Sequence, residues 1–172
     1  MYRTGADVPA GNFTASVERT ESTSASVSWT APSSPNGVLQ RYVLTSFDES
    51  AGRSVTQYEG LSLGYRVSGL TPYTRYVFTV SACTTAGCLN TSVTAVTLEA
   101  PPTGQLPPHV SASSANTLNV TWQPPTHPNG NLTHTVMGLS LSIVGDKCAK
   151  DIFFGGGEIL ASLPNFSTQK SI

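Results

Sequence analysis

The chain has 172 residues, enough for one domain of ordinary size or for a small domain followed by part of another. Only 11% of the residues are charged and the net charge is −1, with no block of Lys and Arg, so a nucleic-acid or anionic-membrane surface is unsupported. A Ser/Thr-rich text punctuated by 15 Gly and 12 Pro suits short strands and turns rather than helices.

Alternation of apolar residues marks the strands in chain order. Phe13, Ala15 and Val17 share one face of a first strand, and Ala25, Val27 and Trp29 one face of a second. Pro35-Asn36-Gly37 then reads as a turn, because Pro fixes φ and Asn-Gly tolerates positive φ. Tyr42 and Leu44 point inward from a third strand. "RSVTQY" (53–58) and "GYRVSGL" (64–70) read as two more. Tyr76, Phe78, Val80 and Ala82 give the clearest alternation, and a last strand covers roughly residues 90–98. Seven short strands separated by turns predict an all-β, two-sheet sandwich over residues 1–98.

The text then repeats. "VSWTAPSSPNGVL" (27–39) returns as "VTWQPPTHPNGNL" (120–132), placing Trp122 and Pro128-Asn129-Gly130 at a constant offset of 93 residues (122 − 29). Between the copies, residues 99–108 read as a Pro-rich linker that strand pairing does not cross easily. Residues 109–137 read as the start of a second, incomplete sandwich. From residue 138 the repeat is lost: the positions 93 after Tyr42 and Tyr76 hold Thr135 and Gln169. Residues 138–172 are therefore expected to be a foreign or truncated tail, disordered or irregular, with Gly155 to Gly157 breaking any element there.

The second-strand Trp, the Pro-Asn-Gly turn and "Leu70-x-Pro72-x-Thr74-x-Tyr76" together resemble the fibronectin type III module, fully over about residues 7–98 and in part over 101–137. The resemblance implies an immunoglobulin-like sandwich in which Trp29 and Trp122 are structural, with Leu70 and Pro72 leading into Tyr76. In that module the tyrosine hydroxyl bonds back to the backbone just upstream. "ACTTAGC" (82–88) also resembles a Cys-bearing signature repeated in one long extracellular array of such modules.

Chemistry at Cys83 and Cys88 has three possible forms. A metal site needs four ligands at recognised spacing, and beyond this pair the chain offers only Cys148 and the scattered His109, His127 and His134. A redox site needs C-x-x-C at a helix start, whereas this is C-x₄-C between strands. A disulfide stapling the last hairpin fits, with Gly87 closing the loop. "GLSLG" (60–64) matches the G-x-S-x-G nucleophile elbow around Ser62, but the elbow needs a following helix and none is patterned here. "GGG" at 155–157 lacks the Lys-Ser/Thr of a phosphate loop. No catalytic residue, metal or cofactor is expected, and the chain is not expected to be an enzyme.

Five N-x-S/T sequons occur, at Asn12, Asn90, Asn119, Asn131 and Asn165. Beside a disulfide they favour an extracellular or cell-surface setting. No run of about 18 apolar residues exists to span a bilayer. "MYRTGADVPAG" shows no apolar h-region, so a secreted product would be a fragment or lack its leader. The function implied is an extracellular adhesion or scaffold piece, spacing and contacting proteins beside neighbouring fibronectin type III repeats. No Arg-Gly-Asp tripeptide is present. The alternatives are an ectodomain piece of a signalling receptor, such as a receptor tyrosine phosphatase, or an accessory module of a secreted carbohydrate-active enzyme.

Overall fold

The structure, a computed structural model, describes residues 5–114, 117–133, 137–144 and 147–154. It divides into two compact units, residues 1–102 and 103–172. The first unit contains seven strands: β1 (Ala15–Thr20), β2 (Ser24–Trp29), β3 (Arg41–Asp48), β4 (Arg53–Gly60), β5 (Gly64–Ser68), β6 (Arg75–Cys83) and β7 (Cys88–Val96). They form two antiparallel sheets, β1-β2-β5 and β4-β3-β6-β7. Each sheet has one apolar face, and stacking the two removes both from water.

The alternating residues meet between the sheets. Ala25, Val27 and Trp29 of β2 and Val67 of β5 face Tyr42 and Leu44 of β3 and Tyr76, Phe78, Val80 and Ala82 of β6, all buried. Phe13 packs against this core just before β1. Full burial of side chains such as Leu44 and Val80 stabilises by about 1.5–3 kcal/mol each. Trp29 lies 5.8 Å from Tyr42 and 6.0 Å from Tyr58 between ring centroids. Its indole Nε1 is buried without a hydrogen-bond partner, so this ring is held by packing alone.

In the second unit β8 (His109–Ser114) pairs with β9 (Thr117–Thr121), repeating the β1–β2 hairpin: His109 faces Thr121 as Ser16 faces Ser28. The linker expected over residues 99–108 is shorter than its prolines suggested. Thr103 and His127 exchange backbone hydrogen bonds of 2.9 and 3.1 Å, as Ala10 and Ser34 do 93 residues earlier. Residues from 103 onward thus belong to the second unit, because those paired amides and carbonyls outweigh the stiffness of the prolines on either side.

The tail also departs from expectation. β10 (Met137–Val144) and β11 (Lys147–Phe154) form a continuous antiparallel hairpin where an irregular segment was expected from residue 138. Shifted by 93, β3 and β4 would occupy 134–141 and 146–153, nearly the same ground. Pairing needs alternation and a tight connection rather than particular rings, and "MGLSLSIV" supplies the alternation. Residues 155–172, with Gly155 to Gly157 and Asn165, lie outside the described residues.

Candidate functional site

The β6–β7 hairpin ends in the one feature of covalent chemistry among the described residues. Cys83 and Cys88 face each other across the ladder and form a disulfide with Cα atoms 4.1 Å apart. The loop Thr84–Gly87 is closed by the Thr84 amide donating to the Gly87 carbonyl at 2.9 Å. The Thr84 hydroxyl accepts from the Ala86 amide (3.2 Å) and donates to the Asp7 carbonyl (3.0 Å), tying the hairpin tip to the N-terminal segment.

That segment is held from a second side. The Asp7 amide donates to the Asn36 carbonyl at 2.8 Å, and the Asn36 side-chain amide donates to the Val8 carbonyl at 3.0 Å. Asn36 is the left-handed residue of the predicted Pro-Asn-Gly turn, with φ 52°. A further bond, from the Gln40 amide to the Cys83 carbonyl at 2.7 Å, anchors the β2–β3 loop to the disulfide. One end of the sandwich is therefore a fixed surface made of three segments. No charged residue lies in residues 30–40 or 84–87, and Val38 is 75% exposed. Such loops offer backbone and hydroxyl hydrogen bonds with small apolar contacts, and the N-terminal segment adds the exposed Asp7.

Tyr76 organises the opposite end. Its hydroxyl accepts from the Thr71 amide at 2.9 Å and donates to Asp48 Oδ2 at 3.1 Å. Leu70 is buried two residues before Pro72, whose carbonyl accepts from the Thr74 hydroxyl at 2.9 Å. Burial works to raise the Asp48 pKa, but bonds from the Ser50 hydroxyl, the Ala51 amide, the Tyr76 hydroxyl and the Ser50 amide outweigh it and hold it below the usual carboxylate range. On the outer face of β1-β2-β5, Glu21 is likewise lowered by the Ser24 hydroxyl and then by Arg66, which it meets at 2.6 Å. Arg66 is largely solvated and Glu21 partly so, and such a pair contributes little to stability.

Sequence reasoning did not foresee Asp48, Thr84 or Thr97 as structural partners. The buried Thr97 hydroxyl donates to the Thr71 carbonyl at 2.7 Å and accepts from the Thr74 amide at 2.9 Å. Nothing local in "SFDES" or "AVTLE" announces the bonds to Tyr76, Thr71 and Thr74, since those partners are 23 or more residues away.

Trp122 requires correction as a structural core residue. It is 44% exposed, whereas Trp29 is 5% exposed. The rings covering Trp29 come from Tyr42 and Tyr58. Asn12, Asn90 and Asn119 are solvent-exposed, as is Asn131. Cys148 lies on β11.

Ser62 sits in the loop between β4 and β5, where its amide donates to the Tyr58 hydroxyl at 2.9 Å; a strand follows it, not a helix. A shallow cleft is lined by Ser46, Asp48, Arg53, Gln57, Thr71 and Tyr76. Within it, Gln57 donates to Ser46 at 2.8 Å while Tyr76 and Asp48 engage each other. Among the described residues no three His, Cys, Asp or Glu side chains converge on a metal-sized site, and no helix is long and apolar enough to cross a membrane.

A seven-stranded sandwich with a buried second-strand Trp and a tyrosine corner defines a class, and the family comparison agrees with it. The family model for the fibronectin type III domain matches residues 7–97, and the chain belongs to that family. Human usherin is 35% identical over 131 residues, covering 75% of this chain and 2% of usherin. Human ephrin type-A receptor 8 is 39% identical over 72 residues, covering 41% of this chain and 7% of the receptor. Rat phosphatidylinositol phosphatase PTPRQ is 34% identical over 109 residues, covering 60% and 5%. The chain thus spans a few per cent of the length of each relative.

Proposed function

We propose that this chain is a non-enzymatic extracellular module, acting as a spacer and protein-contact surface in an array of fibronectin type III repeats like that of usherin. The observation carrying this reading is the disulfide-fixed end of the first unit, whose two loops at 30–40 and 84–87 carry no charge, joined to a second unit that repeats the same hairpin and bridge at an offset of 93. A fixed surface with uncharged loops suits protein partners, and disulfides persist in oxidising compartments. The usherin likeness points to the places where that array works: the links of hair-cell stereocilia, the periciliary membrane of photoreceptors, and basement membranes. This module would serve at those places, with roles in hearing and vision.

A second reading is favoured by the identity with ephrin type-A receptor 8 and PTPRQ: an ectodomain piece of a signalling receptor. Both readings place the module outside the cell. Antibodies against residues 5–98 should label intact cells, and external protease should remove the label. A signal that appears only after permeabilisation would contradict both.

A further inference from the structure

We propose that Asn90 carries an N-linked glycan, and that this glycan shields the outer face and unpaired edge of the β4-β3-β6-β7 sheet. The proposal rests on the extracellular placement above and adds a modification site and a role for it. From Tyr76 to Leu98 the chain contains no charged residue and no proline, yet this segment forms β6 and β7 almost entirely. High β-propensity without charge or Pro is the composition that pairs edge to edge with other chains. β7 is the outermost strand of its sheet. Natural edges are usually blunted by Lys, Pro or a bulge. β7 has no Lys or Pro, and its ladder to β6 runs unbroken from Arg75–Val96 to Cys83–Cys88.

The sequon Asn90-Thr91-Ser92 lies in the middle of that edge. Asn90, Ser92 and Thr94 project outward and are exposed, while Leu89, Thr91 and Val93 are half-buried on the core side. Ser81 is directly opposite Asn90, and Thr79 opposite Ser92, with the two hydroxyls 2.9 Å apart. The next strand continues the face with Val43, Thr45 and the exposed Phe47. Charges appear only at its two ends, as the exposed pairs Arg41–Glu59 and Arg75–Glu49. Asn90 is exposed on the outward face, away from the core side chains, so a sugar attached there projects into solvent.

The transfer would form a bond between Asn90 Nδ2 and C1 of the first sugar. It would break the bond from C1 to a lipid diphosphate donor and pass the amide proton to the lumenal transferase. A bulky, hydrated group at mid-strand would then do for this edge what a lysine does elsewhere.

The test uses the full chain behind a secretory leader in cultured animal cells. Release of N-glycans by peptide N-glycosidase in ¹⁸O-water should leave the mass tag on Asn90. Asn90→Gln and Ser92→Ala should each lose one glycan step on a gel, whereas Ser92→Thr should keep it. The unglycosylated Asn90→Gln chain should self-associate at lower concentration by light scattering, and Asn90→Lys should restore the monomer. Untagged Asn90 in secreted protein whose Cys83–Cys88 bond has formed would overturn the site while leaving the extracellular placement standing. A tagged Asn90 whose loss leaves self-association unchanged would overturn the shielding role. The placement itself fails separately, through the surface-labelling result above.

Discussion

Removing one oxygen from Tyr76 tests how the far end of the sandwich is held. Tyr76→Phe keeps the ring in a site that is 5% exposed but deletes a hydroxyl with two partners. The bond to the Asp48 carboxylate is charge-assisted, at the stronger end of the range, while the Thr71 amide is on an exposed residue where water can replace the lost acceptor. The expected cost is about 2 kcal/mol. For a domain of this size that lowers the thermal midpoint by roughly 10 °C. Denaturant melts of the full chain at pH 7 should show a lower midpoint at unchanged slope. The deficit should also depend on pH. Asp48 has a folded pKa below its unfolded value, so its contribution is present above the unfolded pKa and is lost as pH falls through the folded one. The gap between wild type and Tyr76→Phe should therefore narrow in acid. A variant within about 0.5 kcal/mol of wild type at pH 7 would refute the corner as a source of stability.

The two tryptophans should behave in opposite ways. Trp29→Ala should cost about 3–5 kcal/mol in equilibrium melts, while Trp122→Ala should leave the main transition within about 0.5 kcal/mol of wild type. Acrylamide should quench Trp122 fluorescence well before that of Trp29, as read in single-Trp variants. Replacing Cys83 and Cys88 together with Ser should lower stability by about 2 kcal/mol, the entropy of opening so short a loop in the chain-entropy model. The same replacement should raise hydrogen exchange at Asp7 and Val8, which the tip holds in place.

Much of the first unit is written locally. Alternation at Ala25-Val27-Trp29 and Tyr76-Phe78-Val80-Ala82 names the faces that become buried, because a strand's side chains reverse at each residue. The disulfide was legible for a similar reason: once a hairpin joins residues 83 and 88, register alone brings their sulfurs together. What was not legible depends on tertiary partners. Asp48 reads as a turn residue, and only the fold brings it to Tyr76, 28 positions later. Trp122 repeats Trp29 as a residue but not as an environment, since burial is supplied by distant rings and not by the tryptophan's own motif. The β10–β11 hairpin lacks the motifs that mark the first repeat, yet Leu139, Leu141 and Ile143 alternate as a strand does.

The central claim is that the first unit is a self-sufficient fibronectin type III sandwich. Thermal unfolding of residues 1–102 against the full chain, both oxidised, tests it most directly. The boundary between the two units predicts one cooperative transition for the shorter chain, at the same midpoint as the main transition of the longer. A non-cooperative melt of residues 1–102, or a midpoint well below that of the full chain, would show that the sandwich depends on residues beyond the boundary and would contradict the account.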